Sequence, residues 1–128
     1  MANDPIPIEL HKFLARYIRS VEQLEILCLL AENPKKTWSE GEVFKSIQSS
    51  QESVTKGLCY FADEQLLIFD AASGYRFSPK SQELMHLTLD LVKTYRKRRV
   101  TVVEAIYLMP PDPIWQFADA FKIRKDIP

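Results

Sequence analysis

Apolar residues recur at helical spacing from the start of the chain. Ile8, Leu10, Phe13, Leu14, Tyr17 and Ile18 fall on one face of a helix expected over residues 7–19. Pro5 and Pro7 sit at its entrance, where a missing N–H costs nothing because first-turn donors have no intrahelical acceptor. Ser20-Val21-Glu22-Gln23 then reads as a capping box, the serine accepting from an early backbone N–H and the glutamine reaching back. Leu24, Ile26, Leu27, Leu29 and Leu30 follow so closely that this second helix is apolar over much of its surface, which places it at the centre of a core. Asn33-Pro34 ends it, because a residue before proline is pushed out of helical conformation. Thr37-Trp38 is a short extended piece. Ser39-Glu40-Gly41-Glu42 is a second capping box and opens a short helix with Val43, Phe44 and Ile47 inward. Ser49-Ser50 forms a turn, and a third helix is expected over 51–64 with Val54, Leu58 and Phe61 facing the core.

The period then changes. Leu66-Leu67-Ile68-Phe69 and Tyr75-Arg76-Phe77 are strand-like runs of branched and aromatic residues, and Asp70-Ala71-Ala72-Ser73-Gly74 between them is a hairpin loop. After Ser78-Pro79, Ser81 caps a helix that carries Leu84, Leu87, Leu91, Tyr95, Val102 and Ile106 and is expected to run to residue 108, about 42 Å at 1.5 Å per residue. Val100-Thr101-Val102-Val103 is its weak point, a place for a kink or a strand, since branched residues lower helix propensity. Glu104-Ala105-Ile106 continues the helical pattern. Pro110-Pro111-Asp112-Pro113 is a rigid connector, and a last amphipathic helix is expected over 114–123. The expected fold is mainly α with a small β-hairpin.

The chain of 128 residues has the size of one domain, divided as an N-terminal helix (5–19), a core (20–80), a long helix (81–108) and an amphipathic tail (109–128). A core of this size needs neither metal nor disulfide. Cys28 and Cys59 sit in apolar helical patterns with no CxxC or Cys/His spacing, which suggests two reduced thiols in a cytoplasmic protein. The first five residues lack the basic and apolar regions of a signal peptide. The longest apolar run, near 26–31, is far short of the roughly 20 residues that cross a bilayer, so no membrane role is expected.

The succession of helix, short strand, helix, turn, helix, hairpin and long helix resembles the winged helix-turn-helix of bacterial transcriptional regulators over about residues 20–92. Thr37-Trp38 looks like the stub strand, residues 39–47 the first helix of the helix-turn-helix, 51–64 the recognition helix and 66–77 the wing. The resemblance implies binding of double-stranded DNA, with the third helix in the major groove and the wing reaching phosphates or the minor groove. By position it implies contacts from Ser50, Gln51, Thr55 and Lys56, with Glu52 and Cys59 also outward, and from Arg76 on the wing. Such regulators commonly pair through flanking helices, so a homodimer is also implied.

Charge narrows this expectation. Net charge is zero, so any attraction to phosphates must be local. From residue 39 to 65 the acids Glu40, Glu42, Glu52, Asp63 and Glu64 outnumber Lys45 and Lys56. The cations gather instead at Lys93, Arg96, Lys97, Arg98 and Arg99, with Tyr95 among them. This run can grip a phosphate backbone, dock an acidic protein surface, or simply be a solvated helix face. The stripe of Ile114, Trp115, Phe117 and Phe121 either folds back on its own domain or docks on a partner. Two readings follow: a DNA-binding regulator, and an interaction adaptor that uses the same fold without DNA. An enzyme is not expected: there is no Gly-rich phosphate loop, no GxSxG and no HExxH, and His11 and His86 match no metal spacing. No catalytic residue, metal or cofactor is assigned.

Overall fold

Four serines mark where helices begin. Ser20, Ser39, Ser50 and Ser81 have extended backbones, and each hydroxyl accepts from the backbone N–H three residues on, at 3.0–3.1 Å. Each such cap contributes about 1 kcal/mol by satisfying a donor that the helix leaves unpaired. The computed structural model describes residues 6–108. Among them the order is α1 (Ile8–Tyr17), α2 (Val21–Ala31), α3 (Glu40–Ile47), α4 (Gln51–Asp63), β1 (Leu67–Asp70), β2 (Gly74–Phe77), α5 (Gln82–Lys97) and α6 (Arg99–Leu108). The described part is therefore mainly helical with one two-stranded antiparallel sheet.

The Ser39 box is complete: Glu42 Oε1 also accepts from the Ser39 N–H at 3.0 Å. The Ser20 box is shifted. Gln23 Oε1 accepts from the N–H of Arg19, one residue upstream, at 2.7 Å. Either bond fixes the direction in which the chain enters its helix.

The centre is α2, as its apolar circumference requires. Leu24, Ile26, Leu27, Cys28, Leu30 and Ala31 are all buried, and α3, α4, α5 and β2 pack around it. From α1 come Leu10, Phe13, Leu14 and, just beyond its end, Ile18. Val54, Leu58 and Phe61 of α4 close the other side. Gly57 lets α4 approach α2, since a Cβ there would stand 3.0 Å from Ile26 Cδ1.

In the hairpin Leu67 pairs with Phe77, Ile68 with Arg76, Phe69 with Tyr75 and Asp70 with Gly74. Asp70 organises the turn by accepting from the Ala72 N–H through Oδ1 at 2.8 Å. On the far side of β2, Trp38 and Tyr75 exchange both backbone hydrogen bonds, at 2.7 and 2.8 Å. Gly74, at φ +118°, runs so close to Trp38 that a Cβ would lie 2.0 Å from its carbonyl oxygen.

The expectation of one helix over 81–108 is corrected. Arg98 leaves the helical region, at φ −133° and ψ 54°, and divides α5 from α6. The break precedes the Val100–Val103 run, all of which is helical. A straight helix of that span would be about 40 Å long, against about 30 Å for a small domain. The bend returns α6 to the body, where Val102 and Ile106 are buried and the helix packs on α1 and α5. The connector at 110–113 and the helix expected over 114–123, with Ile114, Trp115, Phe117 and Phe121, lie outside the described residues. No helix among the described residues is long and apolar enough to cross a membrane.

Candidate nucleic-acid interface

The outward face of α4 is what remains after its core positions are spent. Val54, Gly57, Leu58 and Phe61 are buried at intervals of three and four, which leaves Gln51, Glu52, Ser53, Lys56 and Cys59 exposed. Several of these polar groups already have partners. Thr55 Oγ1 donates to Glu40 Oε1 of α3 at 3.1 Å. Lys56 Nζ is 3.2 Å from Glu52 Oε2, one turn back. Cys59 Sγ lies 3.4 Å from the Tyr75 hydroxyl of β2. The Ser50 hydroxyl is accepting from the Ser53 N–H at the N-cap. Gln51 has no such contact and stands open at the first turn.

The surroundings are acidic. Burial raises the Tyr75 hydroxyl pKa above its usual value, and the bond to Cys59 and the negative charges of Glu40 and Asp63 raise it further. Those carboxylates therefore surround the seam between α3, α4 and the hairpin. Glu42, exposed on α3, has its carboxyl lowered by the Ser39 backbone N–H and by Lys36. The hairpin adds exposed Phe69, the cross-strand partner of Tyr75.

Arg76 is exposed but does not join α4. Adjacent strand residues project to opposite faces. Tyr75 points its hydroxyl at α4, so Arg76 lies on the other face, beside its cross-strand partner Ile68.

The cation run occupies yet another surface. Arg96 makes a bidentate pair with Glu32 at the end of α2, Nε and Nη2 donating at 2.8 and 2.7 Å. Arg99 donates to Glu25 of α2 at 2.8 Å and to the Tyr95 hydroxyl, which itself donates to Glu25. The Arg96 pKa is raised by the Glu32 hydrogen bond, and Glu32 is lowered by the same bond. Burial by itself raises Glu25, but the bonds from Tyr95 and Arg99 outweigh it and the net shift is downward. Beneath this lattice the Cys28 thiol is pushed up to about 12 by burial. Exposed Lys93 and Lys97 and half-buried Arg98 line an open groove with Pro7, Leu10 and Asp90.

The ten positions that the sequence offers for DNA contact thus fall on four surfaces: the outer side of α4, the far face of the hairpin, the contact of Arg96 and Arg99 with α2, and the groove beside α1 that Lys93, Lys97 and Arg98 line. Glu25, Glu32 and Glu40, which hold Arg99, Arg96 and Thr55, were not legible as partners, being 74, 64 and 15 residues away. The Glu52–Lys56 pair is readable from its i,i+4 spacing alone. Among the described residues no group of three or more His, Cys, Asp or Glu is placed to hold a metal ion. No family model, no curated protein and no solved structure matches this chain.

Proposed function

We propose that the chain is a winged helix-turn-helix module that acts by contact with protein, using the face formed by α4, the N-terminus of α3 and the hairpin. The element order supports the winged-helix reading, with α3 and α4 as the helix-turn-helix, the Trp38 bridge as the stub strand and β1–β2 as the wing. One observation carries the choice of partner. The donors that α4 would offer to DNA, Thr55 and Lys56, are engaged by Glu40 and Glu52, and what remains outward is acidic, with exposed Phe69 on the hairpin face that Tyr75 turns to α4. Phosphate neutralisation supplies most of the affinity of a DNA-binding surface, and this one has little to supply. An apolar centre rimmed with carboxylates fits a protein partner that presents basic and apolar residues. Fold alone does not assign the activity.

The DNA-binding regulator is the second reading, favoured by the open first turn of α4 at Ser50 and Gln51 and by exposed Arg76. The two separate in a titration of labelled duplex followed by anisotropy over a salt series. Protein contact predicts no saturable binding at 50 mM salt or above. DNA reading predicts a log–log salt slope of about −0.9 for each phosphate contacted, reduced by about one on Arg76→Ala. Saturable binding with that slope would overturn the proposal in favour of the regulator.

A further inference from the structure

We infer that the outer edge of β1 receives an extended segment of another protein as an added antiparallel strand, with basic side chains of that segment on the α4 side and apolar ones on the other. The backbone of the hairpin shows which groups are offered. Trp38 and Tyr75 exchange both of their main-chain hydrogen bonds, so the N–H and C=O of Tyr75 point away from β1. In an antiparallel ladder the residue opposite such a position turns its own N–H and C=O outward too. That residue is Phe69. Neither group has a hydrogen-bond partner among the described residues. Leu67 has the same orientation but is buried, so the open part of the edge begins at Ile68 and centres on Phe69. Beyond its shortness, β1 lacks the devices that usually protect an edge: it has no lysine, no proline and no bulge, and its register with β2 is unbroken.

Three features select the occupant. The first is a pair of side chains. Ile68 is 46% exposed and Phe69 54%, and as neighbours in a strand they stand on opposite faces of the hairpin. A helix or a globular surface laid on one face covers one of them. A strand beside β1 places alternate side chains next to both. The second is charge. The Phe69 ring packs on Tyr75 with centroids 4.8 Å apart, and Glu40 and Asp63 lie close enough to act on the Tyr75 hydroxyl. A Lys or Arg opposite Phe69 shares that face and meets both the carboxylates and the ring. On the other face Ile68 stands beside Arg76, which favours an apolar neighbour and repels a basic one. The third feature argues against a second copy. Two β1 edges paired antiparallel continue one sheet and set the two acidic α4 faces on the same side, where like charges oppose the contact. This inference rests on the protein-contact reading of the α4 face and adds how the partner's main chain is held.

The probe is a fluorescein-labelled peptide that alternates Lys and Val, titrated with the full-length chain and followed by anisotropy. Saturable binding is expected, with a peptide that alternates Glu and Val bound at least about tenfold more weakly. On the side of the chain, Phe69→Pro removes only the outward N–H, and proline is tolerated in an edge strand with that orientation. It should weaken the Lys/Val peptide about tenfold, whereas Phe69→Leu, which keeps the N–H, should weaken it less than about threefold. Equal losses in the two variants overturn the inference, since the ring and not the main chain then carries the contact. Should Phe69→Pro fail to fold by circular dichroism, the peptide decides. A Lys opposite Phe69 directs its N–H at β1, and the flanking Val residues direct theirs away. N-methylation of the Lys residues should therefore weaken binding about tenfold, and N-methylation of the Val residues should leave it within about threefold. Equal effects, or no saturable binding at about 1 mM chain, overturn the inference. Dimerisation of the chain alone that Phe69→Pro abolishes overturns it too, in favour of a second copy. Peptide binding indifferent to Phe69→Pro and to N-methylation removes the added strand and leaves the protein-contact reading standing. Saturable binding of duplex DNA in place of the peptide removes both.

Discussion

Gly74 is held by two independent constraints. Its φ of +118° lies where L side chains are strained, and the Trp38 carbonyl stands where a Cβ would be, 2.0 Å away. Only backbone separation relieves such a contact, and that would break the two hydrogen bonds by which Trp38 joins β2. Gly74→Ala should therefore lower unfolding stability by at least about 2 kcal/mol, combining positive-φ strain with lost ladder bonds. Urea titration measures it, and a loss below about 0.5 kcal/mol would show that the hairpin does not rest on that bridge. The cysteines give a sharper contrast. Cys28 is fully buried with its thiol pushed up to about 12, whereas Cys59 is exposed on α4. The reactive species is the thiolate, and it must also be reached. Iodoacetamide at pH 8 should add one group to the folded chain, at Cys59, and two to the chain in urea. Native labelling of Cys28 at a comparable rate would mean that the lattice above it opens readily. The sequence alone placed both thiols in apolar helical patterns and did not separate them, because Cys59 lies just outside the stripe of Val54, Leu58 and Phe61.

Elements whose signals are local were the legible ones. A capping serine acts over three residues and a hairpin loop over five, so α2, α3, α4, α5 and the hairpin all begin within a residue or two of where the pattern puts them. The break at Arg98 was not legible, because its cause is not local. Tyr95, Arg96 and Arg99 are tied to Glu25 and Glu32 of α2, and α6 turns in to bury Val102 and Ile106. Low propensity in the Val100–Val103 run suggested a kink a few residues later, but those branched side chains sit comfortably in α6, where packing outweighs a few tenths of a kcal/mol of intrinsic preference. The candidate site followed the same rule. That α4 turns Gln51 and Lys56 outward could be read from its apolar spacing. That its donors are occupied by Glu40 and Glu52, and that Arg76 lies across the hairpin from it, depended on tertiary geometry.

For the molecule as a whole, a net charge of zero conceals an internal arrangement of ions. Arg96 of α5 and Arg99 of α6 face carboxylates of α2, so two of the five cations in the run that looked like a phosphate grip serve to fasten helices together. Acid should loosen that fastening. Glu32 is lowered chiefly by its bond from Arg96. Glu25 is lowered despite burial by its bonds from Tyr95 and Arg99. A carboxyl whose folded pKa lies below its ordinary value of 4.5 holds fewer protons in the native state than in the unfolded one. Its contribution is complete above about pH 5 and is lost as pH falls through the folded value. The side chains of Glu25 and Glu32 remain 28% and 37% exposed, so solvent screens both pairs and the individual effects are small. The pH slope is the better observable. As pH falls through 4.5, unfolding of the natural chain should take up protons at these two sites, and Glu25→Gln with Glu32→Gln should remove that uptake. The double variant should be less stable than its parent at pH 7, and the gap should narrow as pH falls below 4.5, as followed by urea midpoints. Parallel curves that never converge would mean that these carboxylates are not what holds the end of α5 and the start of α6 to α2.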